Sequence, residues 1–254
     1  MSKCYVKVCG GLGNQLFQIA NGYAYSKRFD KELVIDCSTW NASQGTNIKV
    51  YKDTLFKNFH FGVKDEPLTL IRERDKQKEQ VTIYNEIPNV DGSVLLDGYF
   101  QSLKYFEDYK DEFISLLELP EIDSDKIEHP SVGMHVRRGD YLLYRNIYHS
   151  CDTEYFASFF DVYKDTHKIY IYTDSPEHIL EEFADFDFQL VRSDSELKDF
   201  TSLSKHQQII GSNSTFSWWA SLVGNPEKAV FPSKWYVDRP HEDIFREDMI
   251  LKDV

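Results

Sequence analysis

Two arginines stand side by side in His135-Val136-Arg137-Arg138-Gly139-Asp140-Tyr141, in a chain whose 29 Lys and Arg are outnumbered by 42 Asp and Glu. On a continuing strand, alternation puts His135 and Arg137 on one face and Arg138 on the other. An arginine's forked guanidinium binds a pyrophosphate bidentately and stays charged while a leaving group gains negative charge. The competing reading is an ion-paired turn, with Arg138 held by Asp140, because structural ion pairs are common. A second segment, Gly211-Ser212-Asn213-Ser214-Thr215-Phe216-Ser217-Trp218-Trp219, places several hydroxyls and N–H groups at a helix start. Capping needs only one of those hydroxyls, and the rest suit a second anion site. Phe216, Trp218 and Trp219 read as core packing of that helix. Gly10-Gly11-Leu12-Gly13-Asn14-Gln15 brings backbone close to a ligand at another helix start. It lacks the Lys-Ser/Thr of a P-loop and the dinucleotide glycine spacing, and a tight turn explains it as well. Asp174, in Tyr172-Thr173-Asp174-Ser175-Pro176, either accepts hydrogen bonds from a guanine edge or caps the helix that follows. Asp140 and Asp97 are candidate general bases, each with a competing role as an arginine partner or turn residue.

The elements that must position these groups follow from hydrophobic patterning. Apolar runs alternate with amphipathic stretches, the mark of an α/β protein. Strands are predicted at Tyr5–Val8, Leu33–Asp36, Val94–Leu96, Val132–Val136, Ile169–Tyr172, Ile209–Ile210 and Ala229–Phe231. Helices are predicted from about Asn14 to Phe29, at Leu103–Leu117, Glu154–Tyr163, Pro176–Phe183 and Thr215–Val223. The charged stretch from Asp53 to Asn85 reads as irregular, part of an acceptor surface. Pro120 ends a helix, and the acidic run from Glu121 to Pro130 reads as a linker. Two αβ halves result, residues 1–129 and 130–254, with ligands expected where strand C-termini meet helix N-termini.

Composition narrows the function classes. With 254 residues, 41% hydrophobic and 15% aromatic, the chain can bury a sizeable core. A formal net charge of −13 repels nucleic acid and anionic membrane in the mean, so a phosphate ligand needs a local basic cluster. Met1–Lys7 contains no apolar stretch of signal-peptide or anchor length, which points to the cytoplasm without membrane insertion. Cys4, Cys9, Cys37 and Cys151 lack CxxC spacing and read as reduced thiols, not a zinc site. The DxD triplets Asp123-Ser124-Asp125 and Asp185-Phe186-Asp187 are the one hint of a metal-dependent sugar transferase, and in so Asp-rich a chain chance supplies them.

Five segments, GGLGNQLFQIA, LDGYFQSLKYF, HVRRGDY, IYTDSPEHI and HQQIIGSNSTFSWWASLV, resemble the ordered motifs of glycosyltransferase family 11, the α-1,2-fucosyltransferases, and span nearly the whole chain. The resemblance implies a GT-B-like α/β enzyme with two facing Rossmann-like domains: an acceptor-side domain at 1–129 and a GDP-fucose-binding domain at 130–254. It implies inverting, metal-independent transfer of L-fucose from GDP-fucose to a glycan acceptor, galactose O-2 being the family linkage. No cofactor is implied. By the same resemblance Arg137 grips the diphosphate, with Arg138 beside it and His135 near the nucleotide. Asp174 matches a position of guanine recognition, and Ser214, Thr215 and Phe216 match the segment around the phosphates. Gly11, Gly13, Asn14 and Gln15 match the N-terminal loop on the donor side. Ser175 departs from the family, standing where many members carry a second acidic residue. Two other classes remain open: a catalytically silent nucleotide-sugar or glycan-binding module, and a structural interaction protein rich in Tyr and Phe.

Overall fold

The computed structural model describes every residue except 37, 39–44, 74–82, 124–125, 140, 142 and 150. Two compact units make up the chain: Met1–Leu119 with Arg239–Arg246, and Pro120–Asp238 with Glu247–Val254. The division thus falls before Pro120, not at 129/130. The acidic stretch is no loose linker, because the Glu128 N–H donates to the Tyr170 hydroxyl at 2.8 Å and that hydroxyl donates to the Lys126 carbonyl at 3.2 Å. Arg239–Arg246 returns to the first unit, where Asp243 accepts from the Tyr84 N–H at 2.7 Å and from the Lys104 ammonium at 2.5 Å.

In the first unit, β1 (Lys3–Lys7), α1 (Leu12–Arg28) and β2 (Glu32–Asp36) form the opening βαβ turn of the chain. They are joined by β3 (Phe61–Gly62), β4 (Leu68–Arg72) and β5 (Ser93–Asp97) in a wholly parallel sheet of order β3-β2-β1-β5-β4. β3 and β4 lie in the segment expected to be irregular. β4 is an edge strand with Thr69, Leu70 and Arg72 exposed, so it carries little of the alternation by which a half-buried strand is read. The helix expected over 103–117 is instead two 3₁₀ turns, Leu103–Tyr105 and Glu107–Tyr109, followed by the short α2 (Lys110–Ser115). Tyr105 and Phe106 are both buried, and two successive inward side chains fit tight turns better than one face of a helix.

The second unit is β6 (Ser131–Val136), α3 (Thr153–Tyr163), β7 (Lys168–Thr173), α4 (Pro176–Glu182), β8 (Gln189–Leu190), α5 (Glu196–Leu203), β9 (Gln208–Gly211), α6 (Thr215–Gly224), β10 (Lys228–Pro232) and β11 (Met249–Lys252). Its sheet is also parallel throughout, in the order β11-β10-β9-β6-β7-β8. Counted from β6, this is the doubly wound nucleotide-binding order, and the chain reverses direction across the sheet between β6 and β9. β8, α5 and β11 escaped the sequence pattern. Every side chain of β6 is buried, as a central parallel strand requires. An aromatic layer of Phe156, Phe160 and Phe183 packs on Val132, Met134 and Val136 and holds the strand in place.

Candidate functional site

The second unit gathers its polar chemistry at the C-terminal ends of β6, β7 and β9, at the topological switch point. The two arginines divide into separate roles. Arg138 is 3% exposed, and its guanidinium donates through Nε to Glu182 Oε2 at 2.9 Å and through Nη2 to Glu182 Oε1. Its Nη1 donates to the Cys151 carbonyl at 2.8 Å. Burial raises the Glu182 carboxyl, but hydrogen bonds from Arg138 and Thr153 outweigh it and hold the pKa below its usual value. Arg138 therefore ties β6 to α4. Arg138 faces away from Arg137, as alternation past the strand predicts, and once buried it needs a counter-charge.

Arg137 points to the other side and its side chain is 34% exposed. Its Nε lies 3.1 Å from Asp174 Oδ2, and its guanidinium carbon lies 5.7 Å from the centre of the Tyr141 ring. Asp174 does more than pair with it. Its Oδ1 accepts the N–H groups of Arg138 at 2.9 Å and Gly139 at 3.3 Å, closing the turn after β6. A Cβ at Gly139 would come within 2.2 Å of Asp174 Oδ2, so only glycine fits against that carboxylate. Ser175 adds a hydroxyl that accepts from Gly139 N–H at 3.2 Å. Asp174 is thus a turn cap and arginine partner. Of the two candidate bases, Asp140 lies outside the described residues. Asp97, in the first unit, is held by Lys7 at 2.9 Å and Arg72 at 3.8 Å.

Across the switch point, the Ser212 hydroxyl donates to the His135 carbonyl at 2.9 Å and accepts from the Arg137 N–H at 2.9 Å. This locks the end of β9 to the end of β6. Ser214 is the N-cap of α6, accepting from the Phe216 N–H at 3.4 Å, and Thr215 follows half-buried in the first turn. The helix start carries no acidic residue to compete for an anion. Phe216 is sandwiched between rings, 5.0 Å from His135 and 5.4 Å from Phe200. Trp218 and Trp219 are fully buried in the core. Burial and the nearby Arg137 charge push the His135 pKa down to about 3, so the ring is neutral, and its Nδ1 is buried without a hydrogen bond.

One residue escaped the sequence reading. Asp199, in α5, has a buried Oδ1 with no hydrogen bond, and burial raises its pKa. It lies next to Phe200, whose ring packs on Phe216 at the start of α6. The signal was available: Leu197, Phe200, Thr201 and Leu203 form an apolar face at helical spacing.

In the first unit, Gly10 adopts a φ of +81° and Gly11 is the N-cap of α1. Gln15 is fully buried and turned onto its own loop, donating to the Gly10 carbonyl at 2.8 Å and to the Thr46 carbonyl at 2.6 Å. Gly13 is buried beside it, and Asn14 Oδ1 accepts from Gln101 at 2.8 Å. This loop is a braced turn. Of the DxD triplets, Asp185 and Asp187 are exposed while Phe186 between them stacks on Phe160 at 4.4 Å; Asp123-Ser124-Asp125 falls partly outside the described residues. Among the described residues no group of three His, Cys, Asp or Glu side chains could hold a metal ion, and no helix is long and apolar enough to cross a membrane.

The sequence model of glycosyl transferase family 11 matches residues 5–252. The chain belongs to that family. As a family 11 glycosyltransferase it is 24% identical to an alpha-1,2-colitosyltransferase of Escherichia coli, with 93% of each chain covered. It is 21% identical to the O-antigen biosynthesis glycosyltransferase WbnK of Escherichia coli, over 91% of this chain and 94% of that one. Among solved structures it is similar to the NodZ alpha-1,6-fucosyltransferase soaked with GDP-fucose, with a TM-score of 0.58 at 15% identity, covering 94% of this chain and 99% of that one. NodZ from Bradyrhizobium gives a TM-score of 0.59 at 14% identity, over 87% of this chain and 93% of that one. A variant of Arabidopsis thaliana FUT1 in complex with GDP gives 0.52 at 12% identity, covering 97% of this chain and 72% of that one. At these identities the structural likeness is one of fold: an α/β chain with two parallel sheets, as in NodZ.

Proposed function

We propose that this family 11 enzyme is an inverting, metal-independent GT-B-type transferase that moves L-fucose from GDP-fucose to a sugar hydroxyl, galactose O-2 being the expected acceptor. The observation that carries the reading is the pairing of Arg137 with the hydroxyl-rich start of α6 on either side of the switch point. An arginine and a helix N-terminus together favour a diphosphate. GDP leaves with the electron pair of the C1–O bond while the acceptor oxygen attacks the opposite face of C1. Each well-placed donor to the departing phosphate is worth several kcal/mol. The acceptor proton passes to a base, for which Asp140 is the remaining candidate, because Asp97 is already held by two cations.

For the nucleoside we assign recognition to Asp199 with neutral His135, not to Asp174, whose two oxygens are already engaged. A carboxylate oxygen buried without a partner is costly unless a ligand supplies a donor, and guanine offers its N1–H and 2-amino groups. Cys4, Cys9 and Cys151 are free thiols, which suits a reducing cytoplasm.

A second donor has its own support in the relative named an alpha-1,2-colitosyltransferase. Colitose is L-fucose without the 3-hydroxyl, so the two readings share the GDP grip and differ at one sugar position. The test is release of GDP from each donor with a panel of galactose-terminated acceptors, EDTA present throughout. Acceptor-dependent turnover of GDP-fucose under EDTA supports the proposal. Turnover of GDP-colitose alone moves the donor. Activity that returns only with added manganese overturns the metal-free mechanism, and GDP binding without turnover on any acceptor points to a silent binding module.

A further inference from the structure

Ser212 ties the backbone at the end of β9 to that at the end of β6, but this bond reaches neither the Arg137 guanidinium nor the N-cap of α6. What holds them is a column of tyrosines. The Tyr141 ring stacks on Tyr148 with centres 4.5 Å apart and planes 5° from parallel, and Tyr148 leans on Tyr236 at 5.7 Å. Tyr236 is buried and anchored by backbone: Tyr148 and Tyr236 form an antiparallel bridge, His149 N–H donates to the Trp235 carbonyl at 3.3 Å, and Val237 N–H donates to the Ile147 carbonyl at 3.1 Å. Over the Tyr141 ring lies the Arg137 guanidinium, its carbon 5.7 Å from the ring centre and within cation–π range. Its hydroxyl donates to the Asn213 carbonyl at 2.8 Å, one residue before the N-cap of α6. The circuit closes because the Asn213 side-chain amide donates to the Trp235 carbonyl at 2.6 Å.

We infer that Tyr141 is a positioning residue that clasps the two halves of the anion site, its ring fixing the Arg137 guanidinium and its hydroxyl fixing the α6 start. This rests on the reading of Arg137 and α6 as a diphosphate grip. Its two ends act on different partners. The ring also stacks on Tyr148, but its contribution to GDP affinity runs through Arg137 and vanishes once the guanidinium is gone. The hydroxyl acts through Asn213 and does not depend on Arg137. Aligned in advance, both groups meet the diphosphate without the ordering cost that a mobile arginine would incur.

The test is a double-mutant cycle on GDP affinity by calorimetry, with Tyr141→Phe and Tyr141→Leu each combined with Arg137→Ala, and thermal melts of every variant alongside. Tyr141→Phe keeps the ring and is expected to weaken GDP about fivefold, as loss of one neutral hydrogen bond does, additively with Arg137→Ala. Tyr141→Leu is expected to weaken GDP by roughly tenfold or more, combining the lost hydrogen bond with the lost cation–π contact. In the Arg137→Ala background its effect should fall to that of Tyr141→Phe, because the ring no longer has a guanidinium to hold. A merely structural tyrosine would add the same penalty in both backgrounds, and that additivity for Tyr141→Leu overturns the clasp, as does wild-type affinity in both single variants. If Tyr141→Leu does not fold, wild-type affinity in Tyr141→Phe still overturns it. A wild-type protein that fails to bind GDP sinks the clasp together with the proposed function. Binding by the wild type, lost in Arg137→Ala but untouched by either Tyr141 variant, sinks the clasp alone.

Discussion

Adjacent arginines that look alike in sequence answer to different constraints in the folded chain. Arg138 is a buried cation satisfied by Glu182 and the Cys151 carbonyl. Removing one member of such a pair leaves an uncompensated buried charge, so Arg138→Ala is expected to cost about 3–5 kcal/mol of stability, read as a lower urea midpoint. Arg137 is partly solvated, and its loss is expected to leave the melt near that of the wild type. The same Arg137→Ala change should instead lower kcat on the sugar donor by about 100-fold or more, the scale for losing a donor to a developing anion. Preserved turnover in that variant would remove Arg137 from the mechanism. Asp199→Asn belongs at this scale too. It keeps one acceptor oxygen and turns the other into a donor, so guanine N1–H and its 2-amino group can no longer both be accepted. Discrimination of GDP over other nucleoside diphosphates should fall while the fold survives. Unchanged nucleotide preference would argue against Asp199 as the base reader.

The turn after β6 sets the direction of both arginines, and its geometry depends on Gly139 lying against Asp174. A Cβ there would sit 2.2 Å from a carboxylate oxygen that is already paired with Arg137. Gly139→Ala should therefore displace Asp174, loosen Arg137 and weaken GDP binding about tenfold, of the order of one displaced charged contact. The measurement is a titration of GDP beside a thermal melt. Loss of affinity without comparable loss of stability supports the turn as a positioning element, and wild-type affinity refutes it.

Across the whole molecule, two buried histidines give the fold an acid liability. Burial pushes His135 and His206 down to about 3, with the Arg137 charge and His129 contributing second. His206 is enclosed by Tyr172 at 2.8 Å and Ser131 at 2.9 Å. In the unfolded chain both titrate near the ordinary value of about 6.5. The unfolded state therefore binds protons first as pH falls. Their contribution to stability is complete above about pH 6.5 and is lost progressively from there towards pH 3, by about 1.4 kcal/mol per pH unit for each group. Urea midpoints between pH 7 and pH 5 should fall less steeply in His206→Gln than in the wild type. Equal slopes would show that His206 does not drive the loss.

How much of this was legible in the chain depends on whether the signal was local. The central buried strands, the position of α1, the motif order and the N-cap Ser214 all follow from residue types within short windows, because burial and capping leave periodic or terminal marks. That α1 is buried on nearly every side, where an amphipathic helix was expected, did not follow. Edge strand β4 and the turns at 103–109 left no such marks. α5 did leave one, in the spacing of Leu197, Phe200 and Thr201. Other features had none to leave. That Arg138 finds its counter-charge in Glu182, that Asp174 gives Oδ1 to the turn and Oδ2 to Arg137, that Tyr141 reaches Asn213 and that Tyr148 reaches Tyr236 are contacts between residues distant along the chain. The sequence by itself determined an α/β chain of glycosyltransferase family 11 with adjacent arginines just after a buried strand. Only the tertiary structure decided what each arginine pairs with, because desolvation and counter-charge act on neighbours in space and strand order alone sets who those neighbours are.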